Sequence, residues 1–234
     1  MIKIGTIEAN DIIIGGTDQV QKAYLGTTLI WQRSSSRLPE GYTELEYIAS
    51  TSSGGQYIDL NILLYDVLDK PYDIAMKFNL IGNGSDNSSQ ATIFGCQDNT
   101  ESPWPGTFIR RSSNNVAGRY IGGSAKDNTI GTIGNIIELA EKTPPNKNVY
   151  NYNNSGKVHS WGTSLFCAFA DANGTPMRLA EAKIYYFKLF VSGELVRDLV
   201  PCKNSNNVVG MYDLVNNTFY TSPNGASFIG GNEV

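Results

Sequence analysis

The chain has 234 residues and a formal net charge of −4 at pH 7, from 18 Lys and Arg against 22 Asp and Glu. That length admits one ordinary core, or one core with a small appendage, and the acidic balance argues against nucleic acid or an anionic membrane as partner. The three cysteines, Cys96, Cys167 and Cys202, are odd in number and far apart, so they predict reduced, buried thiols in a reducing compartment rather than a disulfide framework.

Residues 1–32 carry four short β-like runs, IKIGTI, DIIIG, VQKAYLG and TTLIW, parted by Asn, Asp and Gly. The unit is too small for a rich core of its own and is expected to pack on a neighbour, on copies of itself or on a larger assembly. It reaches Glu8 and Asp11 before an apolar stretch of signal-peptide type forms, and no later run approaches a membrane span. These features predict a soluble chain without a secretory signal or membrane insertion. The polar run QRSSSR then marks a linker, set at residues 33–37.

Residues 38–234 read as strands and turns. After a turn at Pro39-Glu40-Gly41, alternation runs through Leu45, Tyr47 and the Tyr57–Leu60 run. Further strands are predicted over 72–80, 91–96, 106–111, 118–123, 157–161, 164–170, 180–191 and 194–201. The tight link Val191-Ser192-Gly193-Glu194 pairs Phe190 with Leu195 and Leu189 with Val196. One helix of about two turns is predicted over 135–142, stopped by Pro144-Pro145.

Near the end, VVGMYDLVNNTFYTSPNGASFIGG predicts a hairpin turning at Asn216-Asn217, because Asn tolerates the positive φ of a primed turn. That register sets Leu214 opposite Phe219 and Asp213 opposite Tyr220, with Tyr212, Leu214 and Phe219 turned to the core. Strands at short intervals without βαβ alternation predict an all-β fold, an antiparallel sandwich or barrel. Four loops, 81–90, 97–105, 112–118 and 143–156, are longer than hairpins require and suit either recognition or decoration.

Three blocks carry a resemblance: LPEGYTELEYIAS with GGQYIDL, then AKIYYFKLFVSGELVRDLVP, then the aromatic ending. In that order they resemble the concanavalin A-like, laminin-G-like jelly-roll domains of phage and gut-bacterial surface proteins, over about residues 38–231. The first unit, ending in KAYLGTTLIW, is similar to short modules that precede such domains in phage structural proteins. The resemblance implies an antiparallel jelly-roll β-sandwich behind a small β-rich module and, often, carbohydrate binding. On that reading the chain is a virion protein of fibre or receptor-binding type, made in the host cytoplasm. Residues 1–32 would join other virion proteins and form a homo-oligomer, for instance a trimer, while residues 38–234 engage a host-surface glycan. A purely structural head or tail decoration protein and a bacterial surface adhesin are the alternatives.

A sugar site needs a flat ring against a C–H face and amides or charges for the hydroxyls. Trp104, Tyr120, Tyr150, Tyr152 and Trp161 sit in or beside the polar loops, with Asn151 and Arg119 near them, and Pro103 and Pro105 restrain Trp104. Taken singly, each aromatic fits core packing or loop cover slightly better; as a group they point to recognition. Asp86 and Asp98 are candidates for a calcium ion held by loop oxygens, although neither run has EF-hand spacing. Catalysis has thinner support. Glu44 and Glu46 share a strand face but lack the further alternating acids of sandwich glycosidases, and His159 is the one histidine. No nucleotide-binding glycine pattern occurs, so the chain is expected to bind rather than catalyse.

Overall fold

Aromatic and β-branched runs broken by Gly, Asn and Pro favour strands, and among the described residues no helix forms. The structure, a computed structural model, describes residues 3–4, 7–8, 22–25, 28–32, 37–63, 72–87, 89–97, 106–113, 116–121, 124–139, 162–169 and 175–234. The chain divides into two units, Met1–Pro39 and Glu40–Val234. In the first, β1 (Lys3–Ile4) pairs with β2 (Ile7–Glu8), and β3 (Lys22–Leu25) with β4 (Thr28–Gln32), both antiparallel.

The second unit begins with β5 (Tyr42–Glu44), β6 (Ile48–Ala49), β7 (Ile58–Leu63), β8 (Tyr72–Asn83) and β9 (Thr92–Gln97). Then come β10 (Gly106–Ser113), β11 (Val116–Ile121), β12 (Ser124–Thr132), β13 (Ile136–Leu139), β14 (Gly162–Leu165), β15 (Ala168–Phe169) and β16 (Pro176–Met177). The last are β17 (Ala180–Val191), β18 (Glu194–Asn204), β19 (Val209–Asp213), β20 (Thr218–Tyr220) and β21 (Ile229–Gly230). A six-stranded sheet has the order β12-β11-β10-β9-β14-β7. A nine-stranded sheet has the spine β13-β8-β17-β18-β19-β20, to which β5, β6 and β21 attach. All described pairings are antiparallel, and among the described residues no barrel closes.

Alternation turns one face of each sheet inward. Ile58, Leu60, Ile93, Phe94, Ile109, Ala117 and Leu165 of the smaller sheet share one buried cluster with Ile74, Met76, Phe78, Leu80, Ile184, Phe187, Leu189 and Leu199 of the larger. The Phe94 and Phe187 rings, one from each sheet, meet at 5.3 Å. Cys167 and Cys202 are free and buried. Burial pushes the Cys167 thiol well up and the Cys202 thiol up to about 12, which leaves both unreactive. The side chain of Cys96 lies outside the described residues.

The larger sheet contains a fork. β17 pairs with β18 only near their shared turn, from Val191–Glu194 to Phe187–Leu199. Beyond it β17 takes β6 as neighbour, with Lys183 opposite Ala49, and β18 takes β5, with Cys202 opposite Glu44. Pro201, which has no N–H, falls where β18 passes from one neighbour to the other, and its carbonyl accepts the Leu45 N–H at 2.9 Å. β21 pairs with β6, and Leu45 bridges to Glu233. The first and last strands of this unit thus fill the fork together.

At the opposite margin Arg197 joins the two sheets. Its Nε and Nη2 donate to the Leu60 carbonyl on β7 at 3.1 and 2.8 Å, and its Nη1 donates to its own neighbour, Val196 O, at 2.7 Å. Nε also lies 3.6 Å from the fully buried carboxylate of Asp213. That carboxylate accepts the N–H groups of Asp198 and Val215 and the amide of Asn216 at 3.1, 3.0 and 2.7 Å.

These contacts overturn the expected final hairpin. Tyr212 stands opposite Phe219, and Asp213 opposite Thr218, so the loop spans Leu214–Asn217 rather than Asn216-Asn217 alone. Asp213 binds the loop's own N–H groups and ends the strand early. The core face is therefore Met211 and Tyr220, while Tyr212 and Phe219 pack on Tyr42 on the other side, at 4.8 and 5.2 Å.

The preceding hairpin pairs Phe190 with Leu195 as expected, over a turn with Ser192 and Gly193 at positive φ. Leu189, however, meets Arg197 rather than Val196, because a bulge inserts one residue. The predicted helix over 135–142 is β13 across Ile136–Leu139, paired with β8; residues 140–142 lie outside the described residues. Two turns of isolated helix are marginal, and the open edge of β8 offers a full ladder instead. The strand expected over 164–170 breaks at Phe166, φ 65°, where Ser164 Oγ donates to Cys167 O at 2.8 Å. The polar run of β12 was not expected at all. The strand expected over 157–161 lies outside the described residues.

Replacing Arg197 with Met should strand the buried Asp213 charge and lower stability by about 3 kcal/mol, read from urea unfolding; a change below about 1 kcal/mol would show that the pair is not a structural tie.

Candidate functional site

Strands β8 and β17 and the residue leading into β6 bring tyrosines and lysines onto the outer face of the larger sheet. Along β17, Ile184 and Phe187 are fully buried in the core, so strict alternation could place only one of the two residues between them outward. A bulge between Ile184 and Tyr186 relieves that limit, since Ile184 faces Phe78 and Tyr186 faces Lys77 with Tyr185 as the extra residue. Both tyrosines thereby share the outer face. β6 delivers Tyr47 beside them by pairing Ala49 with Lys183.

The resulting strip has defined contacts. The Tyr47 and Tyr185 rings meet edge to face at 5.5 Å. Lys183 Nζ lies 4.3 Å from the centre of the Tyr47 ring, and Lys77 Nζ 5.5 Å from that of Tyr185. Gly231 packs against Tyr47 so closely that an added Cβ would come within 2.9 Å of ring carbons Cδ1 and Cε1. Tyr186 donates its hydroxyl to Glu138 Oε1 at 3.1 Å. Burial raises the Tyr185 hydroxyl above its ordinary value; Lys183 opposes this, while Glu46 and Tyr47 add to it. Burial, then the hydrogen bond and charge of Glu138, push Tyr186 from 10.0 up to about 12.

Of the residues expected at a sugar site, Trp104, Tyr150, Asn151, Tyr152 and Trp161 lie outside the described residues. Arg119 and Tyr120 are on β11, opposite Ile109 and Phe108 of β10, and their side chains are likewise outside. For calcium, Asp98 is outside too, and Asp86 accepts the Leu179 N–H at 3.1 Å. Asp86 also lies beside Arg178, whose guanidinium is lowered to about 10, chiefly by burial and next by Arg110, with Asp86 opposing. Among the described residues no three His, Cys, Asp or Glu side chains converge on a metal position. Glu44 ends β5 and Glu46 is exposed just beyond it, while His159 lies outside the described residues.

Sequence reasoning directed to the loops missed the strip. Its signal was present in Lys183-Ile184-Tyr185-Tyr186-Phe187, where two adjacent tyrosines interrupt an alternating strand. Tyr47, from a distant part of the chain, carried no local sign of joining them. Comparison with family models, with curated proteins and with solved structures finds no match to this chain, so function has to be read from its own residues.

Because folded Tyr186 holds its proton more tightly than the unfolded chain does, its contribution to stability is complete below pH 10 and fades as pH rises through about 12. Replacing Glu138 with Gln should let this phenolate form at lower pH, seen as an earlier rise in tyrosinate absorbance; an unchanged titration would count against the Glu138 bond.

Proposed function

We propose that the chain is a non-enzymatic protein of a bacteriophage particle, of fibre or receptor-binding type, whose second unit is a jelly-roll β-sandwich that binds carbohydrate on the host surface. The two antiparallel sheets around one core support the sandwich reading. The separation of the first unit at Pro39 supports a division of labour, with residues 1–32 attaching to other virion proteins and oligomerising. Many weak sites on one oligomer would add through avidity even where each binds poorly.

The observation that carries the binding reading is the outer strip of Tyr47, Tyr185, Lys77 and Lys183. It offers hydroxyls, ammonium groups and a partly open ring on a stiff sheet, the mixture by which shallow sugar sites orient a ligand. Glu44 and Glu46 flank Leu45, which is held against Pro201 and Glu233, so they lie on a structural seam and the reading remains one of binding without turnover.

A glycan array probed with the full chain, Tyr185→Ala and Trp104→Ala tests this directly. Hits should weaken by about tenfold in Tyr185→Ala, equivalent to losing about 1.4 kcal/mol. Loss confined to Trp104→Ala would move the site to the loops, and no hit from folded protein would favour a purely structural head or tail role. Removal of residues 1–36 should yield a monomer that fails to join particles; a monomer that still joins them would overturn the attachment role.

A further inference from the structure

We infer that the strip formed by Lys183, Tyr47, Tyr185 and Lys77 binds the anionic group of an acidic carbohydrate, a ring-borne carboxylate or sulfate. This rests on the carbohydrate-binding reading and adds the chemical class of the ligand.

The lysines of the larger sheet divide into two kinds. Lys188 lies 3.9 Å from Asp198, and Lys203 lies 2.7 Å from Glu233, so each has a carboxylate. Lys183 and Lys77 have none within ion-pair distance among the described residues; a tyrosine ring holds each ammonium instead. A ring takes one side of an ammonium and leaves its other N–H groups directed outward. The hydroxyls separate in the same way. Tyr186 is bonded to Glu138, whereas no partner engages the hydroxyls of Tyr47 or Tyr185 among the described residues. Two cations and two hydroxyls with spare donors are thus gathered on adjoining strands, on a chain whose net charge is −4.

The rings narrow the ligand further. Gly231 and Lys183 occupy the surroundings of Tyr47, which leaves little of that ring for the C–H face of a neutral sugar. Tyr185 is met edge to face by Tyr47 and carries Lys77 at 5.5 Å, farther off than Lys183 lies from Tyr47. The arrangement therefore favours one sugar ring near Tyr185 with its negative group reaching the ammonium groups. Glu46 and Glu138 bound the strip, and Glu138 is already engaged by Tyr186. They would oppose a negative group placed over either margin while leaving the lysine-bearing middle open to one.

The test uses the full chain against immobilised polygalacturonate, dextran sulfate, unmodified dextran and poly-glutamate, with Lys77→Gln/Lys183→Gln beside the control Lys188→Gln/Lys203→Gln. The wild type should bind one of the two acidic polysaccharides, weaken with added salt, and lose at least about tenfold in the first variant alone. Polygalacturonate and dextran sulfate distinguish a carboxylate site from a sulfate site. Equal loss in both variants, equal binding to poly-glutamate, or undiminished binding by Lys77→Gln/Lys183→Gln would overturn the inference. If neutral glycans bind on the array and neither acidic polysaccharide does, the anionic assignment falls and carbohydrate binding stands. Silence from every glycan, by folded protein, removes both.

Discussion

Arg197 lies where the free margin of the smaller sheet meets the larger one, and the arrangement of the second unit depends on how its charge is compensated. Leu60 lies on the edge strand β7, and a buried carbonyl there must find a donor or water. Arg197 supplies two N–H groups to it and sets Nε near the buried Asp213. A guanidinium suits this task because its donors are fixed in one plane. An ion pair so placed adds little net stability over apolar packing, yet it admits few alternative registers. The bulge beside Leu189 is the local adjustment that carries Arg197 to the margin, and the shortened β19 is the adjustment made for Asp213.

A second bulge has the opposite use. At Ile184–Tyr186 the extra residue faces outward and builds a surface instead of a tie. The same device, one extra residue in an antiparallel ladder, thus serves the core margin where β17 pairs with β18 and the candidate binding face where β17 pairs with β8. Lys77, Lys183 and Tyr185 stand on paired strands and Tyr47 directly precedes one, so the ladder sets the spacing of the backbone positions that carry this face.

Much of the fold was legible in the sequence: the all-β class, the long hairpin through Ser192-Gly193, and most strands of the larger sheet follow from alternation and turn residues. What was not legible depends on distant partners. Nothing local in Leu214–Asn217 shows that Asp213 is claimed by Arg197, so the two-residue turn looked sufficient. Ile136-Ile137-Glu138-Leu139 fits a short helix until the edge of β8 is supplied. β12, with Asp127 and Asn128 at its centre, lacks the apolar repeat that marks a strand. The candidate face was hidden for the same reason, since Tyr47 and Tyr185 meet only when β6 enters the fork, while the loop aromatics stand out by composition alone.

That fork also bears on how the unit is made. β6 receives its outer partner, β21, only from the last residues of the described chain, and Gln56 Nε2 donates to Ser227 O across a separation of 171 residues. A ribosome adding about 5–20 residues per second would leave that position unmatched for roughly ten to thirty-five seconds. Until then Ile48 and its neighbours would have one open strand edge, a surface on which nascent copies could pair with each other. Closure of the fork thus waits until residues 229 and 230 have been made, and a chain lacking them would keep that edge of β6 exposed.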